Sequence, residues 1–281
     1  MLTTTDHNRD SAGLTYVYPV LSRRSGGLSI GINLNPNNAC NWRCVYCQVP
    51  DLRRGSAPAT DLARLEAELR GFLEDVLRGD FYQRFEVPPE RRAIRDIAIS
   101  GNGEPTSSAE FDRVVELIGR VAGDDGLLGQ IKLVLITNGS LVRRETVQKG
   151  LKHWAGLGGE VWFKLDSATA AGMLRVNGVR RAPASLLRDL EAAAGLCPTW
   201  LQTCLFAFDG RPPAEDELRA YTDFLRLASR RRIALRGVLL YGLARPSLQA
   251  EAPRLAALPP VWMESFAAEI RELGLETRLS L

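Results

Sequence analysis

The sequence predicts an α/β fold carried on a largely parallel sheet. Six short runs rich in Val, Ile and Leu recur along the chain, each mostly apolar, as a strand buried on both faces is. Between them lie helical patterns whose apolar residues fall three and four apart. Hydrophobic residues make up 45% of the 281 and charged residues 25%, the balance of a globular chain able to bury such a core.

The first run covers 28–34 and leads into a long connection. A helix follows, its face marked by Leu62, Leu65, Leu69, Phe72 and Val76. The second strand, 94–100, precedes a helix with Phe111, Val114, Val115 and Ile118 on one side, and Ser107 with Glu110 predicts a capping box at its start. The remaining strands are expected at 131–137, 160–165, 201–206 and 233–240. Pro259 and Pro260 suit the first turn of a last helix carrying Trp262, Phe266 and Ile270. The turn-rich stretches 55–60 and 210–213 fit ordinary strand-to-helix connections, and no linker, repeat or low-complexity tract divides the chain. Strands alternating with helices require crossover connections. Either a doubly wound sheet or most of a β/α barrel supplies them.

The formal charge is +3, from 36 Lys and Arg against 33 Asp and Glu, which lacks the bias of a dedicated nucleic-acid binder. No run approaches the ~20 apolar residues that span a bilayer, and the opening residues are polar where a signal peptide is apolar. A cytoplasmic protein without a membrane partner is expected. Of five cysteines, an odd number, three crowd together; a reducing compartment disfavours disulfides, so metal binding is the first reading.

Residues 35–49 read NPNNACNWRCVYCQV and follow the first strand directly. Cys40, Cys44 and Cys47 therefore lie on a loop at a strand's carboxyl end, the edge where parallel sheets build their sites. Structural zinc closes a tetrahedron with four ligands, and the remaining donors, Cys197, Cys204, His7 and His153, are neither adjacent nor paired in a ligand motif. An iron-sulfur cluster held by three thiolates leaves one iron open for chemistry. Zinc or another structural metal stays as the alternative. Cys197 and Cys204 are too few for a second cluster and are expected to pack as apolar groups.

Polar groups mark the other strand ends. The second strand runs into Ser100-Gly101-Asn102-Gly103-Glu104-Pro105, where glycines permit close approach of a ligand or simply a turn. The third ends in Thr137-Asn138-Gly139 and the fourth in Lys164-Leu165-Asp166, whose alternation puts Lys164 and Asp166 on one side, toward a site or in a surface ion pair. Gln202 and Cys204 share a face of the fifth. Arg236 is a charge inside the sixth, which makes it a candidate for the barrel lumen. Arg245, before Pro246, suits bidentate capture of a carboxylate or phosphate, or a solvated loop position.

The C-x3-C-x2-C spacing, with Tyr46 just before the third cysteine, resembles the signature of the radical S-adenosylmethionine superfamily. That resemblance implies a 4Fe-4S cluster on Cys40, Cys44 and Cys47. Its open iron chelates the amino and carboxylate groups of S-adenosyl-L-methionine, and one electron cleaves the sulfonium to a 5′-deoxyadenosyl radical that abstracts hydrogen from an unidentified substrate. Residues 100–105 resemble the family's Gly-Gly-Glu motif, with Asn102 in place of a glycine and Glu104 anchoring the cofactor. Tyr46, Gly101, Asn102, Gly103, Asn138, Lys164, Asp166 and Gln202 are assigned to the cofactor by the same resemblance.

Tyr18-Pro19-Val20, Ser22-Arg23-Arg24 and Ser29-Ile30-Gly31-Ile32-Asn33, with SGNGEPT, LITNGS, VWFKLD and YGLARP further on, resemble a branch of uncharacterised iron-sulfur oxidoreductases related to the tRNA wyosine-base synthesising radical enzyme. This implies a partial (β/α)6 TIM-like barrel over 28–281, with 1–27 as an N-terminal extension packing on it. An external reductant such as flavodoxin or ferredoxin and a small-molecule, peptide or RNA substrate go with that reading. Beyond the cluster, the catalytic candidates are Arg236, Arg245 and Cys204. Modification of a tRNA base is the alternative, for which Arg43, Arg53, Arg54 and 230–232 offer phosphate contacts or merely solvated faces. An iron-sulfur electron-transfer protein is the alternative from another class.

Overall fold

A computed structural model describes residues 2, 12–22, 26–243 and 245–281. His7, Arg23, Arg24 and Ala244 of YGLARP lie outside the described residues, as do most of 1–11.

Among the described residues, eight strands form one sheet: β1 (Val17–Ser22), β2 (Gly27–Ile32), β3 (Ile94–Ile99), β4 (Lys132–Thr137), β5 (Glu160–Lys164), β6 (Thr199–Leu205), β7 (Leu235–Gly242) and β8 (Thr277–Ser280). Their spatial order is their chain order. β1 runs antiparallel to β2, and β2 to β8 are parallel. A doubly wound sheet reverses direction at a switch point, and none is present here. The sheet is a curled half-barrel, a partial TIM-like fold.

The connections are helical: α1 (Leu62–Arg78), α2 (Phe111–Asp124), α3 (Glu145–Gly156), α4 (Ala170–Asn177), α5 (Pro183–Ala194), α6 (Glu215–Arg230) and α7 (Pro260–Arg271). The face foreseen for α2 is buried, with Phe111, Val114, Val115 and Ile118 all at 0% exposure. Asp61 caps α1 by accepting from the Arg64 amide. Pro260 opens α7 at its first position. The start of α2 departs from the expected capping box. Ser107 instead donates to the Glu104 carbonyl within a short 3-10 turn, and Ser108 accepts from the Glu110 amide.

Val17–Ser22 form an edge strand of the sheet. Glu68, buried on α1, accepts from the amides of Thr15, Tyr16 and Val17, so one carboxylate binds the entry of β1 to the first helix.

Candidate functional site

The asparagines around Cys40 build the loop that follows β2. Asn33 Oδ1 accepts from the amides of Asn35 and Asn102, Asn35 Nδ2 donates to the Ala39 carbonyl, and Asn102 Nδ2 donates to Asn38 Oδ1. Asn41 donates to Ser140 and accepts from Asn138. The loop is thereby tied to the ends of both β3 and β4. On its far side the Arg43 and Val45 amides donate to the carbonyls of Asn177 and Val176 at the C-terminal end of α4. A third support comes after β7. Ser247 Oγ donates to the Val45 carbonyl at 2.7 Å, Leu248 N to Cys47 O at 2.9 Å, and Arg43 pairs with Glu251 at 2.8 Å.

Held in this way, Cys40, Cys44 and Cys47 are half-buried and line one cavity of about 740 Å³. Burial pushes the Cys40 thiol up to about 11 and the Cys44 thiol up to about 12, so both are neutral at neutral pH unless a cation binds them. The cavity is bounded by Gly101, Asn102, Gly103 and Glu104 from the β3 turn, and by Asn138, Lys164, Gln202 and Cys204 from the ends of β4 to β6. Tyr46, Tyr241 and Arg245 also line it. It continues down the sheet to Ser29, Asp96, Lys132, Trp162 and Arg278, to which the sequence assigns no site role.

Several of the expected site residues have partners within the chain. The Glu104 carboxylate is buried and accepts from Thr106 N, Thr106 Oγ1 and Thr137 Oγ1 on one oxygen and from Asn138 N on the other. It therefore joins two strand ends at the cavity wall. Burial raises its pKa, an effect those hydrogen bonds oppose. The close approach that the glycines permit is made by the chain itself: a Cβ on Gly103 would stand 2.1 Å from the Ala39 carbonyl oxygen, and one on Gly101, at φ +152°, 2.3 Å from Asn33 Oδ1.

Asp166 does not line the cavity. It is buried beneath it, accepting from Tyr46 Oη at 2.5 Å and Asn177 Nδ2 at 2.6 Å on Oδ2, and from Cys204 N at 3.0 Å on Oδ1. Lys164 does reach the cavity, with Nζ 3.9 Å from Asp166, 3.2 Å from Tyr241 Oη and 5.0 Å from the centre of the Tyr46 ring. Burial disfavours its charge, but Asp166 and the neighbouring Tyr241, Cys44 and Cys204 raise its pKa well above the ordinary lysine value.

Arg236 is exposed and off the cavity. The register slips between Leu235 and Gly237 at the amino edge of β7, and this irregularity turns the side chain to solvent. Cys197 is buried and donates to the Gly159 carbonyl, apart from the cavity that Cys204 lines. Of the basic run, Arg43 is paired and Arg54 donates to the carbonyls of Asn41 and Gly178, while Arg53 and 230–232 are exposed.

Among the described residues, no three His, Cys, Asp or Glu side chains are arranged to hold a single metal ion. Cys40, Cys44 and Cys47 nevertheless line the same cavity, and soft thiolates are the donors that iron-sulfur clusters use, with the protein ligands distributed over several irons. Donors already point at two of them, Trp42 N at Cys40 Sγ (3.4 Å) and Asn177 Nδ2 at Cys44 Sγ (3.2 Å). Asn177 and Ser247 were missed in the sequence because each meets the loop across more than 130 residues of chain, and Tyr241 because it meets Lys164 across 77.

No family model matches the chain. A protein named GTPase Obg from Brachyspira hyodysenteriae is 27% identical over 133 residues, 47% of this chain and 17% of that protein. UPF0026 proteins from Methanocaldococcus jannaschii and Synechocystis are 30% identical over 149 residues and 26% over 168, covering 53% and 57% of this chain and 39% and 52% of theirs. The chain spans about half the length of these relatives or less. Among solved structures, TYW1 with a lysine-pyruvate adduct bound superposes with a TM-score of 0.59 at 14% identity, over 87% of this chain and 73% of that one. SuiB of Streptococcus suis bound to precursor peptide SuiA also gives 0.59, at 12% identity, over 91% and 48%. A radical SAM methyltransferase from Sphaerobacter thermophilus gives 0.57 at 12%, over 94% and 68%. The chain has the fold of the radical S-adenosylmethionine enzymes.

Proposed function

We propose that this protein is a radical S-adenosylmethionine enzyme acting on a substrate held in the half-barrel. The observation that carries the proposal is the convergence of three loop thiols and a ring of polar strand ends on one cavity of about 740 Å³. Cys40, Cys44 and Cys47 hold a 4Fe-4S cluster in this reading, and the fold neighbours, one of them solved bound to S-adenosylmethionine, support it. When bound, the cluster supplies the electron that cleaves S-adenosylmethionine to a 5′-deoxyadenosyl radical, which abstracts hydrogen from substrate.

The chain's own residues hold and shape. The β3 turn presents backbone groups and Asn102 to the cofactor. Lys164 brings a fixed positive charge to the cavity wall, and Gln202, its register partner on β6, adds an amide beside it. Cys204, Trp162 and Leu239 bound the space left for substrate. Flavodoxin or ferredoxin is the proposed reductant.

Anaerobic reconstitution with iron and sulfide, followed by electron paramagnetic resonance of the reduced protein, tests this reading. A four-iron signal that changes on adding S-adenosylmethionine is expected. A cluster whose signal ignores S-adenosylmethionine points to an electron-transfer protein.

A further inference from the structure

We infer that Asn177 is a positioning residue that tunes the reduction potential of the cluster through a side-chain hydrogen bond to the Cys44 sulfur. This rests on the proposed function, in which Cys44 is a cluster ligand. It goes beyond that reading by giving a task to a residue no motif contains.

Asn177 ends α4 and is fully buried. Its Nδ2 donates to Cys44 Sγ at 3.2 Å and to Asp166 Oδ2 at 2.6 Å, which uses both of its N–H groups. The amide has only one workable orientation. Flipped, its oxygen would stand 2.6 Å from a carboxylate oxygen.

Asp166 in turn is fixed by Tyr46 Oη and the Cys204 amide, with Lys164 Nζ nearby. The Asn177 backbone adds a further link, since its carbonyl accepts from the Arg43 amide. One residue thus sets both the path of the loop before Cys44 and the donor facing its sulfur.

Asn177 Oδ1, by contrast, is buried without a hydrogen-bond partner. A side chain chosen to stabilise the core would not leave a polar atom in that state. The two donors explain why an amide stands here.

The electrostatic consequence has a definite sign. A thiolate ligand gains negative character when its cluster is reduced, and a donor to that sulfur stabilises the reduced form more than the oxidised one. Removing the donor makes reduction harder. Loosening the packing would act in the opposite direction by admitting water, so the sign of the shift separates tuning from a merely structural role.

The test is a redox titration followed by electron paramagnetic resonance on reconstituted wild type, Asn177→Leu and Asn177→Ala, with iron and sulfide content measured for each. The expected result is unchanged iron content and a roughly tenfold fall in the ratio of reduced to oxidised cluster at a fixed potential, about 59 mV more negative for a one-electron couple. An unchanged or more positive midpoint in variants that hold their cluster overturns the inference and leaves the proposed function standing. Loss of the cluster from both variants assigns Asn177 to packing and also overturns it. A wild type that assembles no cluster removes the proposed function itself, and the inference with it.

Discussion

Lys164 and Asp166 show how a single buried charge pair serves two sides of the site. Asp166 faces the protein and organises Tyr46, Asn177 and Cys204, while Lys164 faces the cavity and neutralises it. Replacing Lys164 with Met removes the cation and leaves the carboxylate with neutral donors only. A loss of about 3 kcal/mol in urea unfolding is expected, at the low end for a broken buried pair because three donors remain. Glu104 makes a second residue-scale case. Glu104→Gln keeps the size but turns an NH2 group toward donors, and a cost of about 1–3 kcal/mol is expected in the same measurement. A neutral result would mean that the Thr106, Thr137 and Asn138 bonds contribute nothing net.

At the scale of elements, the cysteine loop depends on segments far away in the chain. Gly103→Ala would drive a Cβ into the Ala39 carbonyl, and a backbone oxygen cannot step aside as a flexible side chain can. The variant is expected to lose iron binding while its circular dichroism stays near wild type. On the other side, the partly exposed Arg43–Glu251 pair is worth about 0.5 kcal/mol after solvent screening. Its bond to Arg43 lowers the Glu251 pKa, so the contribution is present above the ordinary glutamate value of about 4.3 and fades as pH falls through the lower folded value. In Glu251→Gln, faster amide exchange at Leu248, whose N–H bonds Cys47, is expected at neutral pH.

The sequence shows the elements whose signals are local. The six central strands, the apolar face of α2 and the proline start of α7 follow from periodicity and turn chemistry. The edge strands escaped: β1 carries Pro19, which an edge tolerates and a central strand does not, and β8 has only four residues, three of them polar. Arg236 misled because a charge in an apolar run reads as buried, whereas the register slip beside it is not encoded in any pattern.

For the whole molecule, strand order equal to chain order, with β2 to β8 parallel, gathers the carboxyl ends of those seven strands around one opening. This is why residues from 40 to 245 meet at a single cavity, and why the distant supports of the cysteine loop stayed hidden in the sequence. The half-barrel and the thiol loop together make one chemical demand. The most direct test is to reconstitute the cluster anaerobically, add dithionite and S-adenosylmethionine, and quantify 5′-deoxyadenosine by chromatography beside a Cys44→Ala control. The wild type is expected to yield 5′-deoxyadenosine and the control none. Equal product in both, or an intact reducible cluster that neither binds nor cleaves S-adenosylmethionine, would contradict it.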